Sequence, residues 1–68
     1  MIITPDNATE SFTVKADDEL ITRVVEWNSD EKSITRYSDN FPITDTETLK
    51  PKHAKLVSIK TGEIKDEW

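Results

Sequence analysis

The chain has 68 residues, no cysteine and a formal net charge of −5. This length allows one small domain over residues 1–68, with a core only just large enough to fold. The lack of cysteine excludes disulfides, thiolate metal sites and cysteine nucleophiles, and it predicts a reducing, cytoplasmic setting. No apolar run has the length of a membrane span, and residues 1–10 lack a signal-peptide pattern, so we expect no membrane contact.

The charge is unevenly distributed along the chain. Residues 1–47 contain eleven acids and four bases, whereas residues 48–68 contain five lysines and three acids. Binding to nucleic acid requires several phosphate-neutralising bases, so an acidic total argues against it. A protein partner, possibly a basic one, is the expectation that this charge favours.

Two strands are predicted before residue 20. Residues 1–4 form a short, largely apolar segment that stops at Pro5, a pattern typical of an edge strand. Residues 11–15 alternate between polar and apolar side chains and predict a second strand. The polar residues 16–19 are expected to form the turn that follows.

Residues 17–28 fit two secondary structures. Asp17 can cap a helix in which apolar positions 20, 21, 24 and 25 share one face. The same positions are mostly β-branched, and Trp27 follows them, which favours a strand. Because a polar cluster and a second β-type run come next, we favour a hairpin over residues 20–38 with its turn near Asp30.

A turn centred on Asp30 and Glu31 sets the expected pairing of this hairpin. Trp27 then pairs with Ile34, and the same register pairs Val25 with Arg36. It also pairs Val24 with Tyr37, on the face opposite to Trp27. We expect the Trp27 face to supply the core and the Tyr37 face to meet solvent or a partner.

Two further elements are predicted downstream. Thr44 and Glu47 have capping-box spacing before Pro51, which predicts one short helical turn near residues 45–50. Gly62, the only glycine, predicts a tight C-terminal turn with positive φ. A two-residue turn there sets Ile59 opposite Ile64, and a bulged three-residue turn is the alternative. The remaining turns, which lack glycine, are expected to be type I.

The expected fold is therefore all-β. It is a small antiparallel sheet or barrel-like fold of about five short strands with one helical turn. The alternative is an α+β fold with a helix at residues 17–28 on a three-stranded sheet.

No catalytic, cofactor or metal site is predicted. His53 is the only histidine and lies among lysines without an acid–base partner in sequence. The acidic clusters lack the ligand spacing of a calcium loop, and the lysines of residues 50–65 are interpreted as a solubilising face. We therefore expect a protein that is not an enzyme.

Function is inferred by elimination. A small non-enzymatic protein that acts by protein–protein contact, as an inhibitor or adaptor of the bacteriophage accessory or anti-defence type, is the favoured hypothesis. A structural subunit that forms homo-oligomers is one alternative, and an acidic DNA-mimic inhibitor is another. The expected partner-binding residues are Tyr37 with Glu26 and Asp39 beside it, and Trp68 at the end of the sequence.

Overall fold

The fold was analysed in a computed structural model that describes residues 1–38 and 45–68. The described residues form eight β-strands and no helix. The strands are β1 (Ile2–Ile3), β2 (Phe12–Ala16), β3 (Glu19–Ile21), β4 (Val24–Asn28), β5 (Ser33–Tyr37), β6 (Thr46–Leu49), β7 (Ala54–Ser58) and β8 (Ile64–Glu67). The all-β prediction is confirmed, with eight strands instead of about five.

The strands form two antiparallel sheets of four strands each. Sheet A has the order β1-β4-β5-β6, and sheet B has the order β3-β2-β7-β8. Residues 17–28, the alternative helix, instead form a turn followed by β3 and β4. Their β-branched and aromatic side chains pack on a pleated surface at lower entropic cost than on a helix, which explains the outcome.

The core is formed by the central strands of both sheets. Its fully or nearly buried apolar side chains come from β2, β4, β5 and β7 and are Val14, Ala16, Trp27, Ile34, Ala54 and Leu56. Trp27 is 1% exposed, which confirms that its face of the hairpin supplies the core. Burying a large apolar side chain such as Trp27 stabilises the fold by roughly 1.5–3 kcal/mol.

The predicted hairpin forms between β4 and β5, but its expected start at residue 20 is wrong, because Leu20 and Ile21 belong to β3 of sheet B. Trp27 pairs with Ile34 and Glu26 with Thr35 in the expected register, which then shifts, so that Val24 pairs with Arg36. The expected pairs Val25–Arg36 and Val24–Tyr37 are therefore wrong. A β-bulge inserts one extra residue, Val25, into β4 and turns Val24 inward, where it packs against the core.

The helical turn predicted near residues 45–50 is wrong, because Thr46–Leu49 is strand β6 at the edge of sheet A. Thr46 pairs with Tyr37, and Thr48 pairs with Thr35. Pairing with β5 satisfies more backbone groups than a single helical turn would, and β-branched threonine favours the strand. Thr44, the expected cap, lies outside the described residues.

Two turn predictions are also corrected. Asp17 and Asp18 have φ of 50° and 69°, so the β2–β3 turn is of the primed type and not type I. Aspartate tolerates this left-handed region because its short side chain bonds locally, and a primed turn matches the strand twist. At the C-terminal hairpin, Gly62 has the predicted positive φ of 75°, but the loop is longer, and Val57 pairs with Ile64 in place of Ile59.

Candidate protein-binding surfaces

The outer face of sheet A carries a row of hydroxyl side chains. Thr35 and Tyr37 of β5 point away from the core, since they alternate with buried Ile34. Thr46 and Thr48 are their cross-strand neighbours on β6, and the hydroxyls of Thr35 and Thr48 are 3.3 Å apart. We call this surface, together with Glu26, the tyrosine face.

Tyr37 lies at the end of this row and is 40% exposed. Its backbone N–H donates to the Arg23 carbonyl oxygen at 3.0 Å, which ties the end of β5 to the corner between β3 and β4. Arg23 has a positive φ of 59°, a region that costs a non-glycine residue energy. The backbone that carries Tyr37 is thus held in place while the ring stays accessible.

The other expected contact residues are placed differently. Glu26 pairs with Thr35, so it lies on the same outer face as Tyr37, as the sequence predicted. Asp39 lies outside the described residues. Trp68 extends sheet B and packs against the inward-facing Trp27, whereas Tyr37 and Glu26 face outward from sheet A, so the structure brings Tyr37 and Glu26 together but does not add Trp68 to them.

Trp68 is folded back onto the core. Its ring centroid is 4.6 Å from that of Trp27, and its Nε1–H donates to the Pro51 carbonyl oxygen at 3.1 Å. Its backbone also pairs with Ala54 in both directions, which extends β8 by one residue. These contacts give Trp68 a role in packing, and a role in partner binding stays a prediction.

A carboxylate joins the two sheets beside this tryptophan pair. Trp27 Nε1–H, from sheet A, donates to Asp66 Oδ2, from sheet B, at 2.9 Å. Burial opposes ionisation of Asp66, but hydrogen bonds from Ser29, Trp27 and the Glu67 backbone N–H, with the positive charge of the N-terminal amine, hold the pKa of its carboxyl below the ordinary value. Asp66 is therefore a structural anion at neutral pH.

Sheet B has an outer face that the sequence analysis did not single out. Its apolar members are Leu20 on β3, Val57 on β7 and Ile64 on β8, and Leu20 and Ile64 are 60% and 49% exposed. Lys15 and Lys55 lie between them as direct cross-strand partners. We call this surface the lysine face. The alternation of side chains in β2 and β7 places Lys15 and Lys55 on the outer faces of their strands. Only the pairing of β2 with β7 brings the two lysines together.

His53 occupies an exposed position beside the β2–β3 turn. Its backbone N–H donates to Asp17 Oδ1 at 3.1 Å, and its carbonyl oxygen accepts from the Asp17 N–H at 2.9 Å. Among residues 1–38 and 45–68, no group of three His, Cys, Asp or Glu side chains is arranged to hold a metal ion. The described part of the chain also contains no helix long and apolar enough to cross a membrane.

Comparison with known proteins adds nothing to the fold class that the strands define. No family model matches the chain, and no curated protein or solved structure shows significant similarity to it. The two sheets place the chain among small all-β proteins, and its function has to be argued from its surfaces.

Proposed function

We propose that this protein is a non-enzymatic binding protein that acts by protein–protein contact through the tyrosine face. The observation that supports this proposal is the accessible ring of Tyr37 on a fixed backbone, surrounded by threonine hydroxyls. Tyrosine provides a large, rigid and amphipathic contact at low entropic cost, and small hydroxyl side chains adapt their hydrogen bonds to a partner. Tyrosine is also enriched among the residues that dominate binding energy.

The charge around the tyrosine face supports a neutral or basic partner surface. Glu26, an outward-facing residue of β4, gives the tyrosine face a negative charge, and the whole chain has a net charge of −5. An acidic protein attracts a basic partner over a distance of roughly 10 Å at moderate salt. An inhibitor or adaptor in the cytoplasm, of the kind that bacteriophages use against host proteins, is the function class that we propose.

The proposal is tested by quantitative capture from a lysate of the source organism on immobilised wild-type protein and on Tyr37→Ala. Truncating a dominant aromatic contact costs about 2 kcal/mol or more, which is roughly a thirtyfold loss of affinity. We therefore expect a protein that wild type enriches to be lost with Tyr37→Ala. Tyr37→Phe, which keeps the ring, should retain most of the binding.

Leu20→Ala is the matched control, because Leu20 is an exposed apolar residue of the other sheet. It should capture the same protein as wild type. Every variant is first checked for a wild-type tryptophan emission spectrum, since Trp27 reports on the core. Equal capture by Tyr37→Ala, or self-association as the sole product of capture, would contradict the proposal.

A further inference from the structure

The two sheets end in four edge strands, which are β1 and β6 in sheet A and β3 and β8 in sheet B. An edge strand presents backbone N–H and C=O groups to which another strand can add. On β1 these groups are already bonded. The Ile2 carbonyl oxygen accepts from Asn7 Nδ2 at 3.0 Å, and the Thr4 N–H donates to Asn7 Oδ1 at 2.8 Å. The side chain of Asn7 therefore takes the place of a neighbouring strand.

The two edges of sheet B are protected in other ways. Strand β3 has three residues and lies between Asp18 and Arg23, whose positive φ values interrupt the extended backbone. Strand β8 contains a bulge at Lys65. The edge-facing N–H of Glu67 donates to Asp66 Oδ1 at 3.0 Å. Short edges, bulges and edge lysines all discourage the addition of a further strand.

Strand β6 lacks this protection. It pairs with β5 over its whole length without a shift in register. The Ser38 N–H donates to the Asp45 carbonyl oxygen at 2.8 Å, so the alternation of an antiparallel ladder directs the odd-numbered residues of β6 toward β5. The N–H and C=O groups of Thr46 and Thr48 then point outward. No group in residues 1–38 or 45–68 bonds to them, so this edge is open there.

Glu47 is the one charged residue of β6, and it restricts how a second β6 can add. Its carboxylate lies 3.8 Å from Arg36 Nε, so its charge is compensated within its own sheet. Antiparallel addition bonds the outward-facing residues of the two strands to each other. Pairing Thr46 with Thr48 would oppose Glu47 to Glu47, and pairing Thr46 with Thr46 would oppose Asp45 to Glu47. Like charges directly opposite each other destabilise a strand pair, which disfavours both registers.

We propose that two copies of this protein dimerise through β6, with Thr48 paired with Thr48 of the second copy about a two-fold axis. In this register Glu47 lies opposite Leu49, and Lys50 lies opposite Thr46, so no like charges face each other. The Thr48 hydroxyl already lies 3.3 Å from that of Thr35, and the dimer extends this pair into a row of four threonines. A second copy is the occupant that the argument selects, because β6 is complementary to itself.

The dimer would join the two copies of sheet A into one sheet of eight strands. The two-fold axis is perpendicular to this sheet, so both tyrosine faces lie on the same side and remain uncovered. The proposal does not rest on the function of the tyrosine face, since it depends on the backbone groups of the edge.

Sedimentation equilibrium of wild type tests the dimer. A single strand pair is a small interface, so we expect weak association, with the mass rising from 7.8 kDa toward twice this value between about 10 µM and about 1 mM protein. A monomer mass at every concentration, or growth beyond a dimer, would overturn the proposal.

Isotope-filtered NMR on a mixture of ¹³C-labelled and unlabelled protein tests the register. Non-hydrogen-bonded pairs bring their Cα atoms to about 4.5 Å, so we expect a contact between Glu47 Hα of one copy and Leu49 Hα of the other. A contact between Glu47 Hα atoms of the two copies would overturn the register.

Thr48→Pro removes the outward N–H at the centre of the strand pair, a change that an edge strand tolerates. Dimerisation should weaken by about thirtyfold, the loss of two hydrogen bonds of about 1 kcal/mol each. Leu20→Pro is the matched control, because the Leu20 N–H faces the free edge of β3 by the same alternation. Leu20→Pro and Tyr37→Ala should both dimerise like wild type. An undiminished dimer with Thr48→Pro would contradict the proposal.

A charge exchange at Thr48 tests the same pair with the backbone N–H retained. Thr48→Lys and Thr48→Glu each oppose like charges across the two-fold axis, so each variant alone should be monomeric where wild type is a dimer. An equimolar mixture of the two variants opposes unlike charges and should restore the dimer. Tryptophan emission checks that each variant is folded, since Trp27 lies in the core. A mixture that stays monomeric would refute the pairing of Thr48 with Thr48.

Discussion

Replacing Asp66 by asparagine should weaken the attachment of the two sheets to each other. The Asp66 carboxylate accepts a hydrogen bond at 2.9 Å from the buried Trp27 indole of the opposite sheet. Its other oxygen accepts the Glu67 backbone N–H at 3.0 Å. Asparagine keeps the size of the side chain but removes the charge, and its amide group presents two donors where these partners are donors as well.

The expected loss follows from the strength of charged hydrogen bonds. A hydrogen bond to a charged group contributes about 1.5–3 kcal/mol to stability, and partial exposure of Asp66 places it at the lower end of this range. One neutral bond from Trp27 to the asparagine oxygen can survive. We therefore expect Asp66→Asn to lower the free energy of unfolding by about 1–2 kcal/mol at pH 7, or roughly 4–16 °C in Tm for a domain of this size.

The effect should depend on pH in one direction. The folded-state pKa of Asp66 is lowered, so its contribution is present above the unfolded-state pKa of about 3.9. It is lost as the pH falls through the still lower folded-state pKa. The difference in unfolding free energy between wild type and Asp66→Asn should thus be constant from about pH 5 to 8 and should shrink below about pH 4.

Urea unfolding followed by tryptophan fluorescence at pH 7, 5 and 3 measures this difference. Asp30→Asn is the control, because Asp30 is an exposed carboxylate that contacts the N-terminal amine at 2.9 Å. An exposed pair of this kind is worth less than about 1 kcal/mol. A loss for Asp66→Asn no larger than for Asp30→Asn, or a difference that stays the same at pH 3, would refute the reasoning.

Three further predictions concern the backbone and the core, and each is measured as a change in the free energy of unfolding in urea. Lys32→Gly should stabilise the fold by about 0.5–1 kcal/mol, because Lys32 has a positive φ of 53° at the β4–β5 turn; no gain would show that this turn is unstrained. Gly62→Ala should cost about 1 kcal/mol from the φ of 75° alone, since no atom lies within 4 Å of an added Cβ, and a much larger loss would contradict this account. Leu56→Ala should cost about 2.5–4 kcal/mol because Leu56 is 1% exposed, whereas its outward-facing neighbour Val57→Ala should cost less than half as much.

The sequence predicted those parts of the fold that depend on neighbouring residues. The β4–β5 hairpin, its Trp27–Ile34 pair and the positive φ of Gly62 follow from side-chain alternation and local turn chemistry. The bulge at Val25 does not, because it is fixed by the packing of Val24 on a core that includes residues of the other sheet. Local capping spacing likewise indicated a helical turn where pairing with β5 produces strand β6.

The candidate surfaces likewise differ in whether they depend on neighbouring residues or on the pairing of distant strands. Tyr37 and Glu26 belong to one hairpin, so alternation was sufficient to place them on one face. Lys15 and Lys55 are forty positions apart in sequence, and their proximity arises from the pairing of β2 with β7. No local feature of either lysine indicates this pairing.

The position of the two surfaces bears on how the protein would act. A shared core lies between sheets A and B, so their outer faces point in opposite directions. One flat partner surface cannot cover both faces at once. A partner that binds the tyrosine face therefore leaves the outer face of sheet B uncovered. Tyr37→Ala should then lose a partner that Leu20→Ala keeps. Loss of the same partner from both variants would instead require a partner that wraps around the edge of the sheets.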